Sequence, residues 1–270
     1  MNEVRIGVVG CAGRMGQALL REITAAEGAV IAGGIERPGH ATLGQDVAAQ
    51  AGLEAIGVAV GDDAQALFAS ADVVLDFTAP EASVVHARLA AESGTRIVIG
   101  TTGIEAEDNA KIAEAATKVA IVQAANMSLG VNLLLALTRQ AASILDPDFD
   151  IEVIEMHHRH KVDAPSGTAL ALGQAAALGR AVEHDQVADR GRDGITGPRR
   201  RGDIGYAVLR GGNVAGEHSV VFAADNERIE LTHKAGDRSI FARGGVRAAL
   251  WVRDQPAGLY SVADVLGFSG

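Results

Sequence analysis

Cysteine is nearly missing from this sequence: Cys11 stands alone among 270 residues. No disulfide can form within such a chain, and a reducing compartment, the cytoplasm, is the expected setting. Aromatic residues make up only 3%, so a core has to be assembled from Ala, Val, Ile and Leu, as in buried parallel sheets and the helices that cover them. Long apolar runs are few. The most membrane-like one, Val119 to Leu137, is interrupted by Gln123, Asn126, Ser128 and Asn132. It reads as a strand followed by a separate buried helix, so no membrane partner is expected. Positive charge is in the minority, with 24 Lys and Arg against 34 Asp and Glu and a formal net charge of −10. That balance argues against nucleic acid as a partner. The chain enters an apolar strand at Val4 without the charged leader and cleavage site of a secretory signal.

What is present is 48% hydrophobic residues and 33 Gly, the composition of an α/β protein of one large or two modest domains. The apolar run Val4 to Val9 ends in Gly10-Cys11-Ala12-Gly13-Arg14-Met15-Gly16 and is followed by a helical pattern. Strand, glycine turn and helix together form the context of a dinucleotide-binding fingerprint, although Ala12 holds the place where many such turns have a second Gly. A second strand, Ala29 to Ile35, ends in Glu36-Arg37, about 20 residues beyond the glycines. An acid there suits the ribose hydroxyls of NAD, and an adjacent Arg suits the 2′-phosphate of NADP. The two together leave NADH and NADPH both open.

Further strand-like runs, Gly57 to Val60, Val73 to Thr78, Arg96 to Ile99 and Val119 to Val122, alternate with helical patterns from about 81 to 92 and 105 to 116. This rhythm predicts an N-terminal doubly wound parallel sheet of Rossmann type. Its ligands belong beyond the carboxyl ends of the strands, where Asp76-Phe77-Thr78, Gly100-Thr101-Thr102-Gly103 and Ala124-Ala125-Asn126-Met127 fall. After Met127 comes a helix from about 129 to 144, then strands without intervening helices: Ile204 to Leu209, His218 to Ala223 and Arg228 to Thr232. They predict a C-terminal α+β domain with a mixed or antiparallel sheet whose uncovered face suits another subunit. Helical segments from about 237 to 251 and from Leu259 to Leu266 are expected to return to the first domain. The expected division is 1–127 with 238–270 for the dinucleotide-binding domain and 128–237 for the substrate-binding and oligomerisation domain. The arginines of 188–202 read as a solvated loop, with a lid over an anionic ligand as the alternative.

The densest chemistry lies at Glu155-Met156-His157-His158-Arg159-His160-Lys161-Val162-Asp163-Ala164-Pro165-Ser166-Gly167-Thr168. A strand, Phe149 to Ile154, runs into it with Glu152 and Glu155 read as its polar side. Pro165 disfavours helix at Ala164, and Ser166 is a natural N-cap for a helix from Gly167 to Leu178. A helix N-terminus beside clustered cations is a site for a small polyanion. His157 or Lys161 can also move a proton there, and Ser166, Gly167 and Thr168 can hold the anion. A metal reading of the histidines is disfavoured, because Arg159 and Lys161 repel a cation and successive residues on a turn converge poorly.

The glycine turn, Glu36-Arg37, Gly100-Thr101-Thr102-Gly103, Ala125-Asn126-Met127 and above all the Glu155 to Thr168 block resemble the dihydrodipicolinate reductase family over the whole chain. The resemblance implies hydride transfer from NADH or NADPH to a cyclic unsaturated imine with two carboxylates, in the diaminopimelate route to lysine. It implies pyrophosphate binding by Gly10, Cys11, Ala12, Gly13, Arg14 and Met15, with the adenosine end at Glu36 and Arg37. The nicotinamide would lie against Gly100, Thr101, Thr102, Ala124, Ala125, Asn126 and Met127. His157 and Lys161 would be the proton-handling pair, with His158, Gly167 and Thr168 on the substrate carboxylates; neither of the pair is singled out as the donor. A homotetramer built through the second domain is also implied. The alternatives are a non-catalytic NAD(P)-sensing or dicarboxylate-binding protein, or another imine dehydrogenase.

Overall fold

The computed structural model describes residues 3–268. Two units divide the chain, Met1–Leu129 with Ser239–Gly270 and, between them, Gly130–Arg238.

In the first unit, strands β1 (Val4–Val9), β2 (Ala29–Ile35), β3 (Val73–Asp76), β4 (Arg96–Ile99) and β5 (Ala120–Gln123) are separated by helices α1 (Arg14–Ala25), α2 (Ala64–Ser70), α3 (Pro80–Ser93) and α4 (Ala106–Ala116). Every strand pairing is parallel, in the order β2-β1-β3-β4-β5, with one more parallel strand beyond β5. The reason is the near-continuous aliphatic character of these strands, which requires cover on both faces. Val8, Leu75, Val98 and Val122 pack with Leu19, Leu20 and Ile23 of α1 on one side. Val74, Ile97, Ile99 and Ile121 pack with Phe68, Ala90 and Ile112 on the other. Each fully buried aliphatic side chain contributes about 1.5–3 kcal/mol, so these two layers dominate the unit's stability.

Three local expectations are corrected. Gly57 to Val60 is not a strand: only single bridges, Asp46 to Ala59 and Ile35 to Gly61, form there, because Gly57 takes a left-handed φ of 77° and interrupts the run. The Ala-rich α2 was not anticipated; an Asp63 side chain caps it by accepting from the Ala66 N–H. The stretch from Leu259 to Leu266 is not one helix. Gly258–Tyr260 is the edge strand beyond β5, and a capping box at Ser261 then opens a short helix, Val262–Leu266. The longer helix Ser239–Val252 buries Ala242, Val246 and Ala249 in the same layer as α1.

The second unit opens with α5 (Leu129–Ile144) and β6 (Asp150–His157), then α6 (Gly167–Gly179) and a short helix α7 (His184–Val187). Strands β7 (Ala188–Asp189), β8 (Ile204–Arg210), β9 (Gly216–Ala223) and β10 (Arg228–Ala235) complete it. The sheet order is β10-β9-β6-β8-β7, mixed, with β6 parallel to β8 and antiparallel to β9. Ile151, Val153, Ile204, Val220 and Phe222 bury one sheet face against Ala169, Leu172 and Ala176 of α6.

The arginines of 188–202 are not a free solvated run, because ion pairs within the second unit hold them. Arg199 donates to Asp150, Glu152 and the Ile151 and Asp203 carbonyls. Arg192 pairs with Glu152 and Asp189, Arg200 with Asp203, and Arg201 with Asp148. Carboxylates of the same unit pair with the stretch, and Asp150 and Glu152 tie it to the start of β6.

Candidate active site

β6 runs three residues further than expected, through His157. Side chains alternate along a strand, so Ile151, Val153, Glu155 and His157 share one face. Glu155 therefore belongs to the inner face: it is 1% exposed, whereas Ile154 on the outer face is 37% exposed. A buried carboxylate needs several donors, and β8 provides the strongest, because Arg210 stands in register with His157. Arg210 donates from Nη1 to Glu155 Oε2 at 2.7 Å and from Nη2 to Oε1 at 2.9 Å. The Ser166 N–H reaches Oε1 at 2.9 Å, and His157 Nδ1 lies 2.6 Å from Oε2. Burial alone raises a carboxyl pKa, but Arg210, then His157 and the Ser166 N–H, outweigh it and hold Glu155 below the usual carboxylate range. An ionised Glu155 can only accept, so His157 Nδ1 carries the proton and Nε2 is its second working atom.

Gly216 at the start of β9 keeps that second atom approachable. A Cβ there would stand 3.0 Å from His157 Nε2. Gly216→Val is accordingly expected to lower turnover about tenfold or more while leaving NADH affinity unchanged, as fluorescence titration would show.

The loop after β6 is held by main-chain bonds. The Gly211 N–H donates to the His157 carbonyl at 3.0 Å and the His158 N–H to the Val214 carbonyl at 2.8 Å. Lys161 Nζ lies 2.8 Å from Asp163 Oδ1 and is 20% exposed. His158 is harder to protonate than a free imidazole, first through burial and then through Arg238, His160, His157 and Lys161 around it. Its Nδ1 is buried without a hydrogen-bond partner among the described residues. Arg238 and Lys161, with the His157 and His160 imidazoles, make the surroundings of His158 electropositive within an acidic protein, the condition for drawing in a small anion.

Ser166 takes a different part from the one expected. It is 2% exposed, its N–H goes to Glu155, and its Oγ caps α6 by accepting from the Ala169 N–H at 3.2 Å. The same Oγ lies 3.0 Å from His218 Nε2. Ser166 therefore braces the site from within, and Gly167 and Thr168 are the α6 residues next to it toward solvent. His218 packs edge-on against His157, ring centroids 5.1 Å apart, and burial, then the charge on His157, lowers its pKa from 6.5 to about 4. A base whose folded pKa is depressed stays neutral in the native state while the unfolded chain takes up a proton. Stability is therefore lost as pH falls from about 6.5 toward 4, by on the order of 3 kcal/mol at the acid end. Urea unfolding near neutrality and at about pH 5 is expected to show this loss, and His218→Gln is expected to shrink it.

The first unit carries a second candidate site at the carboxyl ends of its strands. Gly10 adopts φ +66° and bends the chain out of β1. Gly16 lets α1 close on that turn, for a Cβ there would lie 2.2 Å from the Gly10 carbonyl oxygen. The turn already uses its early donors: the Gly10 and Cys11 N–H groups bond the Ile35 carbonyl, and the Gly13 N–H bonds the Gly10 carbonyl. The Ala12 N–H donates to Glu36 Oε1 at 2.9 Å. Cys11 is fully buried, with burial and then Glu36 pushing its thiol pKa up to about 12, so its side chain faces no ligand. What remains for an anion is the first turn of α1, Arg14 and Met15, which has neither a side-chain cap nor an acidic residue. Glu36 follows β2, and Arg37 is exposed beside it.

Thr101 is 5% exposed, and its Oγ1 accepts from the Thr78 N–H at 3.0 Å and the Ser83 hydroxyl at 2.8 Å. Fully buried Asp76 anchors this knot through Thr78 Oγ1 at 2.6 Å and His86 Nδ1 at 2.8 Å. Only the main chain of Thr101 is therefore available to a ligand, while Thr102 is exposed. Gly100 makes room for Phe77, whose ring would lie 2.2 Å from a Cβ at that position. Ala124, Ala125 and Asn126 follow β5 at the same end of the sheet, and Met127 is buried beneath them. Sequence reasoning missed Glu155 as an inner residue, and it missed Arg210, His218, Arg238 and the Asp76–His86 pair. Strand parity alone could have found Glu155.

Comparison with known proteins agrees with this geometry. Residues 4–127 match the model for the N-terminus of dihydrodipicolinate reductase and residues 130–266 that for its C-terminus. The 4-hydroxy-tetrahydrodipicolinate reductase of Rhodopseudomonas palustris strain BisB18 is 56% identical over 269 residues, spanning 100% of this chain and 99% of the relative. That of Ruegeria sp. strain TM1040 is 55% identical over 262 residues, 97% of each chain. In fold, the chain is similar to a dipicolinate-bound dihydrodipicolinate reductase from Paenisporosarcina sp. TG-14, with TM-score 0.77, 24% identity, and coverage of 97% of this chain and 98% of that one. With both halves matched in order and more than half of its residues shared with such relatives, this chain belongs to the dihydrodipicolinate reductase family.

Proposed function

We propose that this protein reduces 4-hydroxy-tetrahydrodipicolinate to tetrahydrodipicolinate with NADH or NADPH, releasing water, on the diaminopimelate route to lysine. The observation that carries the reading is the cluster of His160, Lys161 and Arg238 around His158, on the loop that leads from β6 into α6, in a chain of net charge −10. It matches a substrate with two carboxylates.

The first unit fits a nicotinamide dinucleotide. Arg14 and Met15 at the uncapped N-terminus of α1 would hold its pyrophosphate, and Gly10, Cys11, Ala12 and Gly13 shape the turn that leads there. Glu36 and Arg37 would take the adenosine end, Glu36 exchanging the Ala12 N–H for ribose hydroxyls. Gly100, Thr101, Thr102 and Ala124 to Met127 would support the nicotinamide. When bound, this cofactor supplies the hydride.

The second unit supplies charge and a proton. His158, Gly167 and Thr168 would take the substrate carboxylates, with Ser166 bracing them from behind. His157 through Nε2, or Lys161 through Nζ, would deliver the proton that must accompany hydride addition and departure of the hydroxyl as water. The outer face of the second sheet exposes Ile154 and Leu209, which supports self-association into the proposed homotetramer. No helix among the described residues is long and apolar enough to cross a membrane, and the cytoplasm is the proposed setting.

The test is cofactor oxidation followed with NADH and, separately, NADPH, with and without freshly generated 4-hydroxy-tetrahydrodipicolinate. Oxidation is expected only with the substrate. No oxidation by protein shown to bind NADH would overturn the assignment.

A further inference from the structure

The proposed reaction uses His157 and Lys161, yet the buried carboxylate of Glu155 beside His157 carries four hydrogen bonds of its own. Glu155 accepts two bonds from Arg210, one from the Ser166 N–H and one from His157 Nδ1, all within 2.6–2.9 Å. Arg210 also donates to the Asp163 carbonyl at 2.7 Å and so ties down the loop that carries Lys161. Three separate pieces of chain, strand β8, the end of β6 and the N-cap of α6, thus converge on a side chain 1% exposed. Burying an ion pair costs several kcal/mol in desolvation, and an apolar pair of similar volume is often as stable. Stability alone is a weak reason for this arrangement.

We infer that Glu155 and Arg210 act as a paired positioning device that sets both the tautomer and the proton affinity of His157. This deepens the proposed function and rests on it for the role of His157. Ionised Glu155 fixes the proton on Nδ1, turns Nε2 toward the opening that Gly216 preserves, and stabilises the imidazolium. Arg210 moderates that effect: its positive charge offsets part of the carboxylate's pull on the ring, while the Ser166 N–H and His157 suffice to keep Glu155 ionised without it. The Ser166 N–H on the same carboxylate links the orientation of His157 to the start of α6, where the substrate would be held. A glutamine at 155 could still accept from Ser166, but its amide N–H groups would face Nδ1 and impose the other tautomer.

Other charged and titratable groups face His157 as well. His218 approaches from β9 with its ring centroid at 5.1 Å and is buried. His158 follows on the chain, Lys161 lies in the same loop, and Arg210 stands on β8 beyond the carboxylate. His218, His158 and Lys161 are unchanged in the two variants below, so each variant isolates one member of the pair.

The experiment is a pH titration of the His157 ring by long-range proton–nitrogen spectra of full-length protein with 15N-labelled histidine, the signals assigned by their loss in His157→Asn. Wild type is expected to show Nδ1 protonated throughout. Glu155→Gln removes the stabilising charge and is expected to lower the His157 titration midpoint by about one pH unit or more and to move the neutral-form proton to Nε2. Arg210→Gln removes an opposing positive charge and is expected to raise that midpoint. Opposite shifts cannot come from simple loosening of the unit. If Glu155→Gln does not fold, Arg210→Gln decides alone: an upward shift supports the device, and an unmoved or lowered midpoint overturns it. Shifts of the same sign in both variants would also overturn it. Because the titration needs no turnover, it stands apart from the assay of the proposed reaction. A wild type without turnover but with these shifts would refute the function and leave the device intact.

Discussion

Lys161→Gln is expected to fold normally, bind NADH as wild type does and lose turnover by about a thousandfold or more. Among the described residues Lys161 is ion-paired only with half-exposed Asp163, and such a pair contributes about 0–1 kcal/mol to stability, so folding should survive the change. Glutamine keeps the reach and polarity of the side chain but removes both its charge and its transferable proton. Lys161→Arg separates these contributions, since a guanidinium keeps the charge and holds its proton too tightly to deliver it. If Lys161 delivers the proton, the arginine variant retains substrate affinity and remains slow. If Lys161 acts through charge alone, the arginine variant recovers most of the rate. Normal turnover in the glutamine variant would remove Lys161 from the mechanism and favour a binding protein over a reductase.

Gly16→Val is the second large effect. A Cβ at this position would lie 2.2 Å from the Gly10 carbonyl oxygen and 2.6 Å from the Cys11 Cα. Both are backbone atoms of the turn and cannot swing aside. The helix α1 has to move off the turn, which costs about 3 kcal/mol and breaks the alignment of its first N–H groups. NADH affinity measured by fluorescence is expected to fall about a hundredfold, together with a lower midpoint in thermal unfolding. A folded variant with unchanged NADH affinity would place the pyrophosphate elsewhere.

The parts of the fold legible in the sequence were those whose signal is local. Val4 to Gly16 combines an apolar strand, a turn that needs a left-handed glycine and a helix start, and each step constrains the next. The change from alternating strands and helices to strands alone after Met127 likewise separated the parallel sheet from the mixed one. The misreadings have equally definite causes. Gly57 to Val60 has the apolar character of a strand but too few residues between glycines to form one. In Gly258–Leu266 the change from period two to helical period falls at Ser261, inside what looked like one segment.

The site was legible in its cations and not in its supports. Three histidines and Lys161 cluster within five positions, and Pro165-Ser166 marks the helix start. The residues that hold them come from elsewhere: Arg210 lies 55 positions from Glu155, and His218 lies 52 from Ser166. Nothing local in the sequence announces either. Glu155 was misplaced because a carboxylate was assumed to face water, although its odd position along β6 puts it with Ile151 and Val153. Ser166 reads as an anion ligand from sequence because a helix N-terminus offers its free donors outward. Here Glu155 and His218 already occupy them.

The most direct test of the whole account is a single turnover with NADH carrying deuterium on the transferable face of C4, in the presence of 4-hydroxy-tetrahydrodipicolinate. The account predicts that one deuterium enters the ring of tetrahydrodipicolinate, seen by mass spectrometry, in step with cofactor oxidation. NADH oxidation that leaves the product unlabelled with either C4-labelled cofactor, or bound NADH that stays reduced beside the substrate, would contradict it.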